Sequence, residues 1–345
     1  TGKDEITEEG LSAFNVKIKE EAMARPGLIK EPEKADIVIL PFENLSDTPY
    51  AVRKVMPFIR EYIEGKGMKV LDEISTRAFM VKYRVRQRGG ITRELAARLR
   101  QEYSVPYIMV GSIVTFKDSS SVPKLGLLGR VVDSSNGNIL WSNYSSATGI
   151  DSVGFLGLGR ITDIDRLIPV VLERFFSSLS PEILKNKKDN KIRIAVLPFR
   201  NATNIRGAGK VAAYLFIDEL FRVPGIQPLE FGDVREEAIS LNMREIGELS
   251  YKSIEELSKE MNIDMILLGT VEEFMPGSVG SLPPKVLIAS KVIDTRSKRL
   301  LWLDDEELSG DDEIKILDIG KLRTVDMVAD EAIRKIIKRM EESIW

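Results

Sequence analysis

The chain repeats itself. Ile37-Val38-Ile39-Leu40-Pro41-Phe42-Glu43-Asn44 returns 157 positions later as Ile194-Ala195-Val196-Leu197-Pro198-Phe199-Arg200-Asn201. Tyr107-Ile108-Met109-Val110-Gly111-Ser112 then matches Met265-Ile266-Leu267-Leu268-Gly269-Thr270. Val132-Asp133 followed by Leu140-Trp141 matches Ile293-Asp294 followed by Leu301-Trp302. Across these three ordered landmarks the offset drifts only from 157 to 161. Any fold for this chain must therefore be one fold built twice, from units of about 150 residues that can each bury a core. The period lies far beyond the roughly 20–50 residues of a solenoid. Expected boundaries are a charged leader over 1–35, a first α/β unit over 36–180, a polar linker over 181–190 and a second unit over 191–345.

Histidine and cysteine are both absent from the 345 residues. That removes thiol nucleophiles, disulfides, imidazole general bases and Cys/His zinc sites. Only carboxylates, Lys, Tyr and hydroxyls remain for catalysis, and a non-enzymatic role without a cofactor or metal is expected. A hydrophobic content of 43% with 30% charged residues suits a soluble globular chain. The net charge of −3 argues against general nucleic-acid binding by the whole molecule. No apolar run is long enough to span a membrane as a helix. Thr1 begins no signal peptide and the chain carries no initiator Met, so a processed or trimmed form is expected.

Ile37 to Leu40 reads as a short buried strand that Pro41 ends. Val52, Val55, Phe58, Ile59 and Tyr62 share one helical face. Met68 to Leu71 is a second short strand, and Thr92 caps a helix carrying Leu95, Leu99 and Tyr103. Tyr107 to Val114 is a buried strand in which Gly111 allows close backbone approach. Asn136-Gly137 between apolar runs signals a hairpin. A helix near 163–179 closes the unit with Leu167, Val170, Val171, Phe175 and Phe176 inward. The second copy replays this order. Its first strand spans Ile192 to Phe199 and its first helix Val211 to Phe221. Ser253 is the expected cap of a helix to Met261, and strands lie over 264–274 and 285–303. The closing helix carries Val325, Val328, Ala332, Ile333, Ile336 and Ile337. These patterns define a mixed α/β (α+β) sandwich with helices packed on a partly antiparallel sheet. Rossmann topology would need more strand–helix alternation.

The shared residues resemble a known family. Pro41, Phe42, Asn44, Gly111, Asp133, Gly137 and Trp141, and then Pro198, Phe199, Asn201, Gly269, Asp294 and Trp302, follow a pattern similar to the amino-terminal domain of TolB. The pattern is also similar to the CsgG-like curli secretion lipoproteins and to the LpoB-like activators of penicillin-binding proteins. Lys298 departs from it, standing where the first copy has Gly137. The resemblance covers nearly all of residues 35–340. It implies two tandem anticodon-binding-domain-like sandwiches and non-enzymatic work in the bacterial envelope. It also implies protein partners or self-association, and a periplasmic location tethered to the outer membrane. A lipidated Cys would have been trimmed away, so membrane contact would need an anchor this chain lacks.

The copies differ most in charge. Residues 76–100 hold eight basic residues against Glu94, whereas 232–260 hold eight acidic and four basic. In an extended segment Lys82, Arg84, Arg86 and Arg88 would project to one side. Such a stripe suits an acidic protein partner, an anionic polymer or RNA, the acidic second copy, or plain solvent. Gly154-Phe155-Leu156-Gly157-Leu158-Gly159 is no dinucleotide fingerprint. It reads as an apolar loop whose Phe155 and Leu158 cover the core or meet a partner. Asp133 to Asn138 lacks the glycine position and distal Glu of a calcium loop and reads as a hairpin turn. The acidic runs 304–307 and 311–313 read as solvated faces. Trp141 and Trp302 read as core plugs rather than partner anchors. Three functions follow in order: an envelope scaffold binding protein partners, an anionic-polymer binder using the basic stripe, and a carboxylate- or Lys-based enzyme.

Overall fold

The computed structural model describes residues 35–86, 88–119, 122–151, 159–185, 192–241, 250–277, 282–312 and 321–344. Each sheet is built from one copy of the repeat. The first copy runs β1 (Ile37–Ile39), β2 (Glu43–Asn44), α1 (Ala51–Gly65), α2 (Glu73–Lys82), α3 (Arg93–Tyr103), β3 (Tyr107–Lys117), β4 (Lys124–Asp133), β5 (Ile139–Thr148) and α4 (Ile164–Phe175). A short helix α5 (Pro181–Lys185) follows. The second copy runs β6 (Ile192–Val196), β7 (Arg200–Asn201), α6 (Ala208–Arg222), β8 (Ile226–Pro228), α7 (Phe231–Ser240), α8 (Tyr251–Met261), β9 (Met265–Met275), β10 (Lys285–Asp294), β11 (Leu300–Ser309) and α9 (Val325–Ile344). The sheet orders are β1-β3-β4-β5 and β11-β10-β9-β6-β8, with β2 and β7 pairing β3 and β9. The amino-terminal strands are parallel to the central one and the hairpin strands antiparallel, so both sheets are mixed, as the pattern predicts.

Each sheet has two unlike faces. In the first copy α1 and α4 cover one face through Val55, Ile59, Ile63, Leu167, Val171 and Phe175. The closing-helix residues named from sequence are buried, except Val170, which is half-buried. On the opposite face α2 and α3 cover only the β1–β3 half, through Phe79, Ala96 and Leu99 against Val38, Ile108 and Val110. The β4–β5 half is left for something else. In the second copy α6 and α9 take the first role, and α7 and α8 the second.

The repeated Phe and Gly of the signature form one contact. A Cβ on Gly111 would stand 2.5 Å from the Phe42 ring and 2.6 Å from the Leu128 carbonyl oxygen. A Cβ on Gly269 would stand 2.3 Å from both the Phe199 ring and the Ala289 carbonyl oxygen. In each copy the ring after Leu-Pro packs against a bare stretch of central strand, which explains why the two residues recur together.

Several local expectations need correction. Met68 to Leu71 makes no strand, only one bridge between Ile37 and Val70. The helix cap is Ser250, whose Oγ accepts the Ser253 amide, so Ser253 lies inside the first turn. The span 285–303 contains a turn, and its last strand continues through the acidic run to Ser309. Within that strand Asp304 and Glu306 face Arg339 of α9, at 2.6 and 2.8 Å. Residues 181–185 of the expected linker are helical and bury Leu184. Trp141 is buried and donates to Ser178, and Trp302 packs against the second core.

The hairpin turns match in shape. Gly137 has φ +76° and Lys298, 161 positions on, has φ +57°. A lysine there carries the steric cost that glycine avoids. Lys298→Gly is expected to raise stability by about 0.5–1 kcal/mol, since the Lys298–Glu255 pair it removes is exposed and contributes little. A urea titration reads this, and an unchanged or lower midpoint would contradict it.

Candidate functional site

The half-sheet that the first copy leaves bare is covered by the second copy. Helix α6 is buried along almost its whole length because it lies between both sheets. Val114, Leu128 and Ile139 of the first sheet share one core with the second sheet, α6 and α9.

A polar seam runs along this junction. Arg130 of β4, 1% exposed, donates through Nε to Glu230 Oε2 at 2.8 Å and through Nη2 to the Gly89 carbonyl at 2.7 Å. Its guanidinium lies over the Tyr214 ring at 4.7 Å. Burial opposes the charge on Arg130, but the Glu230 carboxylate outweighs it and holds the guanidinium's pKa above its usual value. Glu43 accepts from Lys210 at 2.6 Å and from the Tyr214 hydroxyl at 3.1 Å. Asp326 accepts from Thr115 at 2.6 Å and Tyr144 at 2.8 Å. Ser142 donates to Asp218 at 2.6 Å, and Arg222 to Asn143 at 3.0 Å. The chain thus joins its copies by a specific charged register as well as by apolar packing.

Beside Asp218 the seam gathers acids. Asp218, Glu219 and Asp330 are buried, with Arg222 and Arg334 as their cationic partners. Burial pushes all three carboxyls up, Asp330 furthest, despite the arginines. A carboxyl raised in the folded state adds stability in acid and loses that contribution as pH rises through its folded pKa. Asp330 Oδ1 also has no hydrogen-bond partner. Asp330→Asn is therefore expected to equal or exceed the parent in stability at pH 7.5, and to gain less than the parent between pH 7.5 and 5. Urea midpoints at the two pH values test this; parallel shifts in both proteins would refute it.

The basic segment does not form a stripe. Helix α2 runs through Lys82, the chain turns at Tyr83 and Arg84 with Arg84 at φ +50°, and the described residues beyond it form no strand. Lys82 pairs with Glu102 at 2.7 Å. Arg84, Arg86 and Arg88 are exposed, and no extended backbone aligns the four charges on one side. The expected meeting of this region with the acidic second copy occurs instead through Arg93, whose amide donates to Asp233 at 2.6 Å. Phe155 and Leu158 lie outside the described residues.

Arg88 instead borders a cavity of about 430 Å³ between α1, α2 and the end of β1. Ile39, Pro41, Met56, Met80, Val81 and Val85 give it an apolar lining, Arg60 and Arg77 add cations, and Thr76 and one carboxylate, Glu73, complete it. Among the described residues no group of three or more acidic side chains is placed to hold a metal ion. None of the described helices is long and apolar enough to cross a membrane.

The second copy presents the counterpart of the buried half-sheet uncovered. Strand registers pair Arg130 with Ser142 and Leu128 with Tyr144 in the first copy, and Lys291 with Leu303 and Ala289 with Asp305 in the second. Ser142 is 8% exposed, whereas Leu303 is 64% exposed, and Leu301, Asp305 and Glu307 are also exposed. Neither the seam nor this open face is marked by any motif within one copy of the sequence. The signal for the seam lies in the composition of α6, whose Val211–Ile217 run carries no charged residue over about two turns and so reads as buried on every side.

No family model matches the chain, and no curated protein matches it. Among solved structures it is similar to the PelC dodecamer from Paraburkholderia phytofirmans, at 16% identity over 45% of this chain and 90% of that one, with a TM-score of 0.32. It is similar to lipoprotein GNA1162 from Neisseria meningitidis, at 17% identity over 42% and 99%, with a TM-score of 0.31. It is similar to the LpoB C-terminal domain from Escherichia coli, at 10% identity over 36% and 87%, with a TM-score of 0.26. Each likeness is at low identity and covers less than half of this chain. Likeness of this degree bears on neither activity nor partners.

Proposed function

We propose that the chain is a non-catalytic scaffold of the bacterial envelope, a lipoprotein of the periplasm, that binds a protein partner. The observation that carries this reading is the open β10–β11 half-sheet. Its counterpart in the first copy is sealed by a helical layer, so this surface has the shape to receive helices. Its chemistry has changed: Leu303 stands for Ser142, Asp305 for Tyr144 and Glu307 for Ser146. A helix meeting it needs an apolar centre and basic flanking residues, which commits the partner to a surface of that kind. The resemblance of the repeated signature to envelope families supports the compartment.

The exposed turn at Arg84 and Arg86 is the second contact surface of this reading. The geometry does not favour an anionic polymer, because Lys82 is already paired and the remaining arginines follow a turn. The test places a photo-crosslinking amino acid at Leu303, at Arg86 or at Glu61 on the opposite side of the molecule, in the native host. Discrete products with one protein carrying a basic helical surface are expected at Leu303. Products only at Arg86 would move the contact to the turn. Products at none of the three, or only with a second copy of the chain, would overturn the proposal.

A further inference from the structure

The cavity beside α2 has a composition the scaffold reading does not use. Its apolar lining comes from Ile39 of β1, Met56 of α1, Met80 and Val81 of α2, and Val85 of the segment after α2. Apolar surface of this kind gains from taking up a hydrocarbon chain. Its cations come from α1, α2 and the segment after α2. Arg60 is held in place by the Leu71 carbonyl at 2.9 Å and by Glu64 at 3.3 Å, and it also neutralises Glu73, the one carboxylate of the lining, at 3.9 Å. Arg77 and Arg88 are exposed and have no hydrogen-bond or ion-pair partner among the described residues. Two unpaired guanidiniums at the mouth of an apolar cavity match a planar or tetrahedral oxyanion better than any neutral head. The combination belongs to the first copy alone in one respect: Ile217 stands at the position of Arg60 in α6, buried in the core.

We propose that this cavity binds a single-chain anionic amphiphile. Its alkyl or acyl chain lies against Met56, Met80 and Val85, and its phosphate or carboxylate is held by Arg77 and Arg88. A volume of about 430 Å³ falls within the range of small-molecule sites, roughly 300–1,000 Å³. The proposal does not depend on the scaffold reading: Ile39, Met56, Met80 and Val81 lie on neither surface of that reading, and only Val85 sits in its turn between Arg84 and Arg86.

Calorimetry with dodecyl phosphate, kept below its micellar concentration, tests this on the full chain. One-to-one saturable binding is expected, with dodecanoate binding in the same site by competition. Inorganic phosphate and the neutral dodecyl maltoside should each bind about tenfold more weakly or worse, since each lacks one half of the recognition. Arg77→Ala with Arg88→Ala should weaken dodecyl phosphate by at least about tenfold with an unchanged near-ultraviolet circular dichroism spectrum. Met80→Trp, which fills the cavity and leaves the arginines intact, should abolish binding of the amphiphile. Equal binding of inorganic phosphate or of the maltoside would overturn the proposal, as would full binding by either variant. Binding of a Glu-rich peptide in place of dodecyl phosphate would also overturn it, and would mark the arginines as a protein contact.

Discussion

Arg130→Met is expected to lower the stability of the chain by about 3–5 kcal/mol, the range for breaking one side of a buried ion pair. The loss comes from what remains. Glu230 is 0% exposed in its side chain and would keep a carboxylate with no cation beside it. The Gly89 carbonyl would lose its donor, and a buried acceptor left unmade costs about 1–3 kcal/mol. Glu230 also accepts from the Ile91 amide at 3.3 Å, so the damage spreads to the loop before α3. The paired variant Arg130→Met with Glu230→Gln should recover most of the loss, because no uncompensated charge then remains. Urea titrations of the three proteins read this directly. A single variant within about 1 kcal/mol of the parent would show that the pair is not what holds the two copies together.

Gly269→Ala carries the second large effect, about 3 kcal/mol, at the upper end of what overpacking costs. The added methyl would meet the Ala289 carbonyl oxygen and the Phe199 ring, both at 2.3 Å. The carbonyl belongs to the neighbouring strand, which cannot yield without opening the β9–β10 ladder at Gly269–Ser290. The ring is stacked on Phe216 of α6 at 4.9 Å, so its retreat would disturb the layer between the two sheets. Gly225→Ala serves as a control: its Cβ would meet nothing within 4 Å, although its φ of +81° carries its own backbone cost. If Gly269→Ala melts no earlier than Gly225→Ala, the close approach has been misread.

The architecture of each copy was legible because it rests on short-range signals. Ile37 to Ile39, the face of Val55 and Ile59, the Thr92 cap and the turn at Gly137 all act within a few residues. Thr92 indeed accepts from the Leu95 amide. The errors arose where two local signals compete. Ser253 and Ser250 are both good caps, and only the backbone of Ser250 is extended. The basic segment looked alternating, yet alternation describes projection only in a strand, and α2 extends through Lys82. The cavity and the seam join residues far apart in sequence. Arg130 and Glu230 are separated by 100 positions, and no pattern within either copy links them. The repeat itself concealed the difference, because Arg130 and Lys291 occupy matching positions and only one of them is sealed beneath a helix.

The join between the copies brings unlike surfaces together: a helical layer from one and half a sheet from the other. Such a contact carries no built-in stop, and identical subunits that use one can add without limit into a fibre. A further chain in the same geometry would place Asp165, the counterpart of Asp326, against Asp305, the counterpart of Tyr144. It would also place Arg53, the counterpart of Lys210, against Arg200, the counterpart of Glu43. Both contacts pair like charges where the internal join has Asp326 with Tyr144 and Lys210 with Glu43. Asp305→Tyr with Arg200→Glu should therefore give concentration-dependent oligomers in sedimentation, whereas the parent should not elongate by this route. The divergence of the two copies confines a polymerising contact to a single use inside one molecule.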